Sequence, residues 1–480
     1  MKNAKRRGEK SLSTSTASPP PERLERNSHL WVPKPGVGGV TWPATPTGPE
    51  AMRIAVIHQL QQTQWWPPQA LVEMQLRQLA LLARHAAETV PFYRDRLDPL
   101  SGIKGGELIP ETWRKLPVLN RSEIQDAGDS LVSTDLPPDH GSTFDVRTSG
   151  STGQPVQVKG TSLTRIFNSA FNLRNHLWHG RDFSASVGAI QTLSPTEAAA
   201  AKAEKPMPWG PASHKGKLYF RDIRTPVGKQ LEWLEKRDIE YLMTYPSNLH
   251  ALVMRSKENG TVLPKLRQVM TMAELLQPQQ RAACEQHWGV PVIDTYSCME
   301  TSTIALQCPG HSHYLVQAER LYVEVLDNRD RPCAPGEIGR ILISDLHNFA
   351  TPLIRYELGD YAEVGGPCPS GRGLPVLTRI RGRSRNMATL PSGDKVWPSI
   401  RAMHFVDVAP VRQFQLIQRD LGRIEVNLVV AEPLTKDQEE QLRRTLKERI
   451  SPSFEFTFRQ VEEIPRGPNG KYEDFRSELT

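Results

Sequence analysis

The chain has 480 residues, of which 38% are hydrophobic and 24% charged, and its formal net charge is +7. This length allows two or three domains with a large core, and the composition is typical of a soluble globular protein. The sequence has no apolar run of the length that a membrane span needs, and no signal-peptide pattern. Its five cysteines are too few for a disulfide scaffold and odd in number. We therefore expect a cytoplasmic protein without a membrane span.

The first 50 residues are rich in Ser, Thr, Pro and Gly without sustained periodicity, which predicts a disordered tail and an extended linker. Positive charge is concentrated at the start, because residues 1–10 contain five basic side chains and one acidic one. Such a tail is able to touch nucleic acid or an anionic surface. Since no aromatic residue is interleaved with these charges, we favour a solvated tail and expect no specific nucleic-acid partner.

Residues 51–384 are predicted to form a large N-terminal core. A helix after Pro68 is indicated by apolar residues at helical spacing, and Pro91 ends it. From there to about residue 345, short apolar strands alternate with amphipathic segments, which predicts an α/β fold. The clearest strands cover residues 187–190, 241–244, 268–272 and 292–296.

Residues 385–480 are predicted to form a separate small α+β unit. Alternating apolar residues indicate strands near 414–416, 424–428 and 454–458. Thr435 and Gln438 form a capping-box pattern that opens a helix with Leu442, Leu446 and Ile450 on one face. The expected order is therefore strand, strand, helix, strand.

The most informative local pattern is a run of hydroxyl residues and glycines, followed by Gln-Pro. Its members are Thr148, Ser149, Gly150, Ser151, Thr152 and Gly153. Glycines let backbone N–H groups converge and hydroxyls add donors, so the run can cradle a phosphate. Such runs are also common in solvated loops, and taken alone this one favours a plain loop.

Four segments downstream carry further candidate residues. Glu300 follows a predicted strand, close to Tyr296, where a carboxylate is placed to hold Mg²⁺ and a tyrosine to stack on a base. Another strand is expected to end in a Gly-Asp turn at Asp360, whose carboxylate can accept both hydroxyls of a ribose. Arg383 lies at the predicted domain boundary, and Lys471 leaves a glycine-rich turn in the C-terminal unit.

In this order and at these separations, the segments resemble the superfamily of adenylate-forming enzymes of the acyl-CoA synthetase type. The chain is most similar to the phenylacetate–CoA ligase branch and its relatives named for capsular polysaccharide biosynthesis, over about residues 65–475. Supporting segments are 86–93, 116–123, 245–247 and 371–375. The resemblance implies an α/β core of mixed sheets and helices with a small, mobile α+β lid domain at the C-terminus.

The resemblance implies that ATP activates a carboxylic acid, aromatic or otherwise hydrophobic, to an acyl-adenylate with release of pyrophosphate. The acyl group then passes to an acceptor, usually the thiol of CoA. The Ser/Thr/Gly run would cradle the β- and γ-phosphates and Glu300 would help to hold Mg²⁺. Lys471 would stabilise charge as the acyl–phosphate bond forms, and the lid would pivot near Arg385. The residues implied around the nucleoside are Ala273, Glu274, Tyr296, Asp360 and Arg383.

Three positions depart from the family pattern. Met299 stands where Thr or Ser usually precedes the magnesium glutamate, with Thr301 and Ser302 as candidate substitutes. Ser297 replaces a frequent glycine, and Arg385 stands where the hinge commonly has an acidic residue or lysine.

The resemblance also implies a structural zinc site, with Cys308, His311, His313 and Cys368 as candidate ligands. Zinc is held by sulfur and imidazole ligands, three or four of them. Ser370 stands where this branch usually has a further cysteine. The expected ligands are therefore three: the two cysteines and one of the two histidines. Ordinary buried thiols are the alternative interpretation.

Three functions remain open from the sequence. They are a ligase that uses CoA, a ligase that passes the adenylate to an amine or a carrier thiol, and a non-catalytic nucleotide-binding relic of the fold. The relic is disfavoured by the retained Glu300, Asp360, Arg383 and Lys471. The sequence does not identify the acid or the acceptor, and it leaves the oligomeric state open, a dimer included.

Overall fold

The computed structural model describes residues 36, 45–100, 108–148, 155–210, 216–383, 386–398, 400, 403–467 and 470–479. Most of the predicted tail, residues 149–153 of the Ser/Thr/Gly run, and Arg385 lie outside this part of the chain. Within it, no helix combines the length and the apolar character that crossing a membrane requires.

The helices of the described residues lie mostly in the first 290 positions. They are α1 (Gly48–Thr63), α2 (Pro68–Thr89), α3 (Pro110–Trp113), α4 (Arg121–Ala127), α5 (Ser162–Trp178), α6 (Pro195–Lys202), α7 (Val227–Lys236), α8 (Pro246–Asn259), α9 (Pro278–Trp288), α10 (Met403–Val406) and α11 (Lys436–Arg449). The predicted helix after Pro68 is confirmed as α2. Helix α1 was not predicted and begins inside the expected linker, because its apolar residues run consecutively instead of forming a stripe. It packs on α5 through Ile57 and Leu60.

A two-stranded hairpin and one mixed sheet of twelve strands make up the core. The hairpin consists of β1 (Thr143–Arg147) and β2 (Gln157–Thr161). The strands of the large sheet are β3 (Ser186–Gln191), β4 (Met207–Pro208), β5 (Lys217–Asp222), β6 (Tyr241–Thr244), β7 (Gln268–Met272), β8 (Val292–Cys298), β9 (Ser302–Gln307), β10 (Tyr314–Val316), β11 (Leu321–Leu326), β12 (Ile338–Asp345), β13 (Tyr356–Val364) and β14 (Val376–Arg383). Their order across the sheet is β11-β12-β13-β14-β10-β9-β8-β7-β6-β3-β5-β4.

The parallel half of this sheet sets the position of the candidate site. Strands β5, β3, β6, β7 and β8 are parallel neighbours, and α7, α8 and α9 connect successive strands. All four predicted strands are confirmed here, since strands buried on both faces are nearly continuous apolar runs. Because parallel strands end at one edge, Thr192, Tyr245 and Ala273 come together there, beside the end of β8.

The antiparallel half corrects one prediction. Asp360 was expected in a turn at the end of a strand, but it lies inside β13. Gly359 before it has φ of 76°, a conformation that glycine adopts without steric cost. The pairing register shifts just after this point, between Tyr361 and Ala362. The glycine therefore accompanies an irregularity within the strand and does not end it.

The C-terminal residues form a second sheet with its own core. Its elements are β15 (Ala388–Thr389), β16 (Lys395–Val396), β17 (Val411–Gln418), β18 (Arg423–Val430), β19 (Glu455–Gln460) and β20 (Phe475–Ser477), with the order β19-β18-β17-β20 and a separate hairpin β15-β16. The predicted strands and the capping box of α11 at Thr435 and Gln438 are confirmed. The hairpin and β20 were not predicted. A domain boundary at residue 385 stays a prediction.

Candidate active site

A cavity of about 570 Å³ lies where the carboxyl edge of the parallel strands faces the C-terminal sheet. Its walls include Ala273, Glu274, Tyr296 and Asp360 from the large sheet and Lys471 and Tyr472 from the C-terminal unit. A cavity of this size with convergent polar groups is suited to a small ligand. The structure thus brings together five of the residues that the sequence singled out.

Tyr296 and Asp360 form the polar floor of this cavity. The Tyr296 hydroxyl donates to Asp360 Oδ2 at 2.8 Å, although the two residues are 64 positions apart. Both residues are largely buried, with exposed fractions of 8% and 9%. In the neighbouring strand β14, Arg383 pairs in register with Asp360.

Glu274 is the second residue after β7 and contacts the C-terminal unit. Ala273 before it has φ of 71°, which is uncommon for a residue with a side chain. Glu274 Oε2 accepts the Ser247 N–H at 3.0 Å, and Oε1 accepts the Tyr472 N–H at 2.7 Å. Burial raises the pKa of the Glu274 carboxyl, while these N–H groups and Arg466 act in the opposite direction.

The turn that carries Lys471 is closed by contacts of its own backbone and of Arg466. The Gly467 N–H donates to the Lys471 carbonyl at 2.9 Å. Arg466 Nη1 donates to the Gly470 carbonyl at 3.2 Å and to Ser247 Oγ at 2.7 Å. Arg466 was not among the predicted site residues, and it connects the lysine turn to the start of α8.

The Ser/Thr/Gly run connects the two strands of the hairpin, β1 and β2. Its first residue, Thr148, extends the pairing, since its N–H donates to the Val156 carbonyl at 2.9 Å. The Val156 N–H in turn donates to Thr148 Oγ1 at 2.8 Å. Ser149, Gly150, Ser151, Thr152 and Gly153 lie outside the described residues.

Arg121 links this run to Glu300, and sequence reasoning missed it. Arg121 Nη2 donates to Thr148 Oγ1 at 3.0 Å, and Nη1 lies 3.7 Å from Glu300 Oε1. The Tyr356 hydroxyl also donates to Glu300 Oε1, at 3.2 Å. The Glu300 side chain is only 7% exposed. A carboxylate, a guanidinium and the first hydroxyl of the run are therefore adjacent.

The sequence pattern around Arg121 indicates that this residue begins a helix, but it does not indicate the contact with Glu300. Arg121 is the first residue of α4, whose capping box joins Asn120 and Glu123. This pattern fixes the start of the helix and therefore the direction in which its first side chain leaves. The pairing with Glu300 depends on a contact across 179 positions, which no local pattern reports.

Met299, beside Glu300, is 59% exposed. Of the two candidate substitutes for the missing hydroxyl, Thr301 is 1% exposed and its Oγ1 lies 3.2 Å from Cys298 Sγ. Ser302 is partly exposed and has φ of 68°. The Thr301 hydroxyl thus belongs to the interior, which leaves Ser302 as the candidate.

Cys308, His313 and Cys368 form a compact cluster away from the cavity walls, with ligand atoms within 4.8 Å of one another. Cys308 Sγ and Cys368 Sγ are 3.7 Å apart, and His313 Nε2 is 3.2 Å from Cys368 Sγ. His311, the other candidate, is not part of this group; its ring centroid lies 5.1 Å from that of His313.

The Ser370 hydroxyl lies beside both sulfurs of the cluster, at the position where the family resemblance implies a further cysteine. Its Oγ lies 3.0 Å from Cys368 Sγ and 3.7 Å from Cys308 Sγ. Arg372 Nη1 donates to Ser370 Oγ at 2.9 Å, and its guanidinium lies over the Trp178 ring. Two sulfurs and one imidazole are a donor set that fits zinc, and the Ser370 hydroxyl lies beside them.

Both the large N-terminal part and the C-terminal part of the chain match models of known protein families. A family model described as AMP-binding enzyme matches residues 48–351, and one described as CapK C-terminal domain matches residues 391–477. The chain is 25% identical over 421 residues to a phenylacetate-coenzyme A ligase of Escherichia coli (strain K12), covering 82% of this chain and 92% of that enzyme.

Two further similarities are more limited. Protein CapK of Staphylococcus aureus is 29% identical over 141 residues, which covers 28% of this chain and 31% of CapK. A crystal structure of 2-hydroxyisobutyryl-CoA ligase in the postadenylation state, in complex with R3-HIB-AMP, has a TM-score of 0.69 at 17% identity. That alignment covers 87% of this chain and 92% of the ligase, and it indicates a common fold.

Proposed function

The chain belongs to the AMP-binding enzyme family, as its resemblance predicted, and we propose that it activates a carboxylic acid with ATP and transfers the acyl group to CoA. In the first step a carboxylate oxygen attacks the α-phosphorus of ATP and pyrophosphate leaves. In the second step the thiol of CoA loses its proton and attacks the acyl carbon, and AMP leaves. The observation that carries this proposal is the cavity that joins Tyr296, Asp360 and Lys471.

The nucleoside of ATP would occupy the floor of the cavity. Tyr296 and the backbone at Ala273 would flank the adenine, while Asp360 and Arg383 would bind the ribose. The hydrogen bond from Tyr296 to Asp360 supports this assignment, because it holds the carboxylate in one orientation beside the aromatic ring. A preoriented acceptor loses little freedom when ligand hydroxyls bind.

The triphosphate would lie against the Ser/Thr/Gly run, with Arg121 as an additional cation. Backbone N–H groups and hydroxyls would hold the β- and γ-phosphates, as in other phosphate-binding loops. The residue proposed to hold Mg²⁺ is Glu300, and the bound ion would offset negative charge on the phosphates. A nearly buried carboxylate with the hydroxyl of Tyr356 beside it fits a hard divalent cation.

Lys471 would place its ammonium at the α-phosphate and the incoming carboxylate. Negative charge increases on both groups as the new bond forms, so a fixed cation stabilises the transition state more than the ground state. The C-terminal unit would then pivot near Arg385 to open the site for CoA. The assignment of Lys471 rests on the turn that holds it at the cavity wall, and the pivot near Arg385 rests on the family resemblance.

We propose an aromatic or otherwise hydrophobic acid as the substrate. The support is the similarity to a phenylacetate-coenzyme A ligase along most of the chain. A ligase with an amine or carrier-thiol acceptor would use the same adenylate, and acceptor assays distinguish it. We also propose a structural zinc ion held by Cys308, His313 and Cys368, on the strength of their compact arrangement.

The proposal is tested by ATP–pyrophosphate exchange with a panel of aryl, arylacetic and fatty acids. We expect exchange that depends on an aromatic or hydrophobic acid, and AMP with an acyl thioester once CoA is added. Lys471→Ala should abolish exchange while leaving thiolation of a supplied acyl-adenylate, whereas Lys229→Ala on the surface of α7 should change neither. No exchange with any acid would favour a non-catalytic relic, and equal loss of both steps in Lys471→Ala would contradict the domain rotation.

A further inference from the structure

Glu274 connects the large sheet to the turn that carries the proposed catalytic lysine. Its side chain is 6% exposed, and each of its oxygens accepts a backbone N–H from a different part of the chain. The Ser247 N–H comes from the start of α8, and the Tyr472 N–H comes from the C-terminal unit. Arg466 of the same unit lies 3.6 Å from Glu274 Oε1.

On the side of the C-terminal unit, Arg466 and Gly470 also contact the core. Arg466 donates to Ser247 Oγ at 2.7 Å and to the Gly470 carbonyl at 3.2 Å, so one guanidinium binds both the core and the turn. Gly470 has φ of 73°, and a Cβ at this position would lie 2.3 Å from Thr192 Oγ1. The turn therefore rests directly on the end of β3 as well as on Glu274.

The two residues on either side of Lys471 are thus held by the core. Gly470 is packed against Thr192, and the Tyr472 N–H is bound by Glu274. Fixing both neighbours fixes the backbone of Lys471 and limits the region that its side chain can reach. A shift of about 1 Å at a catalytic group can cost about a hundredfold in rate, so this restraint matters for catalysis.

We propose that Glu274 is a positioning residue, the core side of a latch with Arg466 and the Tyr472 N–H that holds the lysine turn in the adenylating arrangement. This inference rests on the proposed function for its catalytic consequence, but the latch itself is a physical contact. When the C-terminal unit rotates, Glu274 loses two of its three partners. The latch therefore favours the arrangement for the first step and has no role in the second.

The test measures the contact and the two half-reactions in Glu274→Ala, Glu274→Gln and Arg466→Met. The control is Glu232→Gln, which alters a 65% exposed glutamate on α7. By hydrogen exchange, we expect the Tyr472 amide to exchange about tenfold faster in Glu274→Ala, the ratio for the loss of one charge-assisted hydrogen bond. Glu274→Gln should give a smaller increase, and the control none.

In the half-reactions, we expect ATP–pyrophosphate exchange to fall at least tenfold in Glu274→Ala and Arg466→Met. Thiolation of a supplied acyl-adenylate should stay within twofold of the wild type. A nucleotide-binding role for Glu274 would instead raise the KM for ATP without changing protection of the Tyr472 amide. If Glu274→Ala does not fold, Arg466→Met decides, because it breaks the latch from the surface of the turn.

The inference is overturned if the Tyr472 amide exchanges at the wild-type rate in the folded variants, or if both half-reactions fall equally. If the wild-type protein shows no exchange reaction with any acid, the proposed function fails, while hydrogen exchange still decides whether the latch exists.

Discussion

Replacing Arg121 by methionine tests whether the contact between the hairpin and Glu300 belongs to the catalytic site. Methionine keeps most of the length of the side chain but removes its charge and its donors. The variant loses the hydrogen bond to Thr148 Oγ1 at 3.0 Å and the ion pair with Glu300 at 3.7 Å. Both lost contacts lie where we place the triphosphate and Mg²⁺.

The size of the effect follows from the geometry. Two unit charges 3.7 Å apart attract by about 4 kcal/mol at an effective dielectric constant of 20. Because 30% of the Arg121 side chain is exposed, solvent screening reduces this contribution to about 1 kcal/mol. The charge-assisted hydrogen bond adds about 1.5 kcal/mol. Together they predict about 2.5 kcal/mol, or about a seventyfold loss in kcat/KM for ATP.

The assay is acid-dependent ATP–pyrophosphate exchange at several ATP concentrations. Arg121→Lys keeps the charge and should lose less than Arg121→Met. The matched control is Arg114→Met, seven positions before Arg121, which removes an arginine that pairs with the exposed Glu111 three positions earlier. If Arg121→Met retains exchange within threefold of the wild type, the assignment of Arg121 to the phosphate site is wrong.

Three further predictions concern the lysine turn, the metal cluster and the response to acid. Gly470→Ala should lower exchange at least tenfold and spare thiolation of acyl-adenylate, because a Cβ at φ of 73° costs about 1–2 kcal/mol and collides with Thr192; equal effects on both steps would contradict this. Elemental analysis should find one zinc per chain, lost in Cys368→Ser and kept in Cys333→Ser; well under one zinc in the wild type would exclude the site. Burial lowers the pKa of His347 to about 4 in the folded protein, whereas its ordinary value is near 6.5. Between these two pH values the unfolded chain binds a proton that the folded protein does not, so the free energy of unfolding falls as the pH drops toward 4. Urea unfolding measures the decrease in the free energy of unfolding between pH 7 and pH 4.5. This decrease should be about 2 kcal/mol smaller in His347→Phe than in the wild type, and equal decreases would refute the role of His347.

The parts of the fold that could be predicted are those with a local pattern. The parallel strands are short segments rich in apolar residues, so β7 and β8 could be located closely. Helix α11 has both a capping box and an apolar stripe, and it was found as well. Helix α1 has neither, and only its packing on α5 makes Ile57 and Leu60 interior residues.

The candidate site was predictable to the extent that single motifs carry its chemistry. Tyr296, Asp360 and Lys471 were chosen on such motifs, and the structure brings them to one cavity. Arg121 and Arg466 were missed because their relevance depends on Glu300 and Ser247, respectively, which lie more than 170 positions away. Glu274 was chosen as a nucleoside residue, and its contact with the Tyr472 N–H was not expected, because it joins residues 198 positions apart.

The cluster of Cys308, His313 and Cys368 shows how geometry decides between alternatives that spacing leaves open. The sequence offered two histidines close together as ligands. In the turn between β9 and β10, the Cys308 N–H donates to the His313 carbonyl at 2.9 Å, which brings these two residues together. Backbone pairing, invisible in the spacing, therefore selects His313.

The most direct test of the central claim is the transfer of an oxygen atom from the acid to AMP. The acid that gives the fastest exchange is prepared with both carboxylate oxygens as ¹⁸O and incubated with ATP, Mg²⁺, CoA and the protein. If a carboxylate oxygen attacks the α-phosphorus, the AMP formed must carry one ¹⁸O, seen by mass spectrometry as an increase of about 2 Da, since one ¹⁸O replaces one ¹⁶O when an acyl-adenylate is cleaved at its acyl carbon. AMP without ¹⁸O, or label in ADP or inorganic phosphate, would contradict the acyl-adenylate and with it the proposed function.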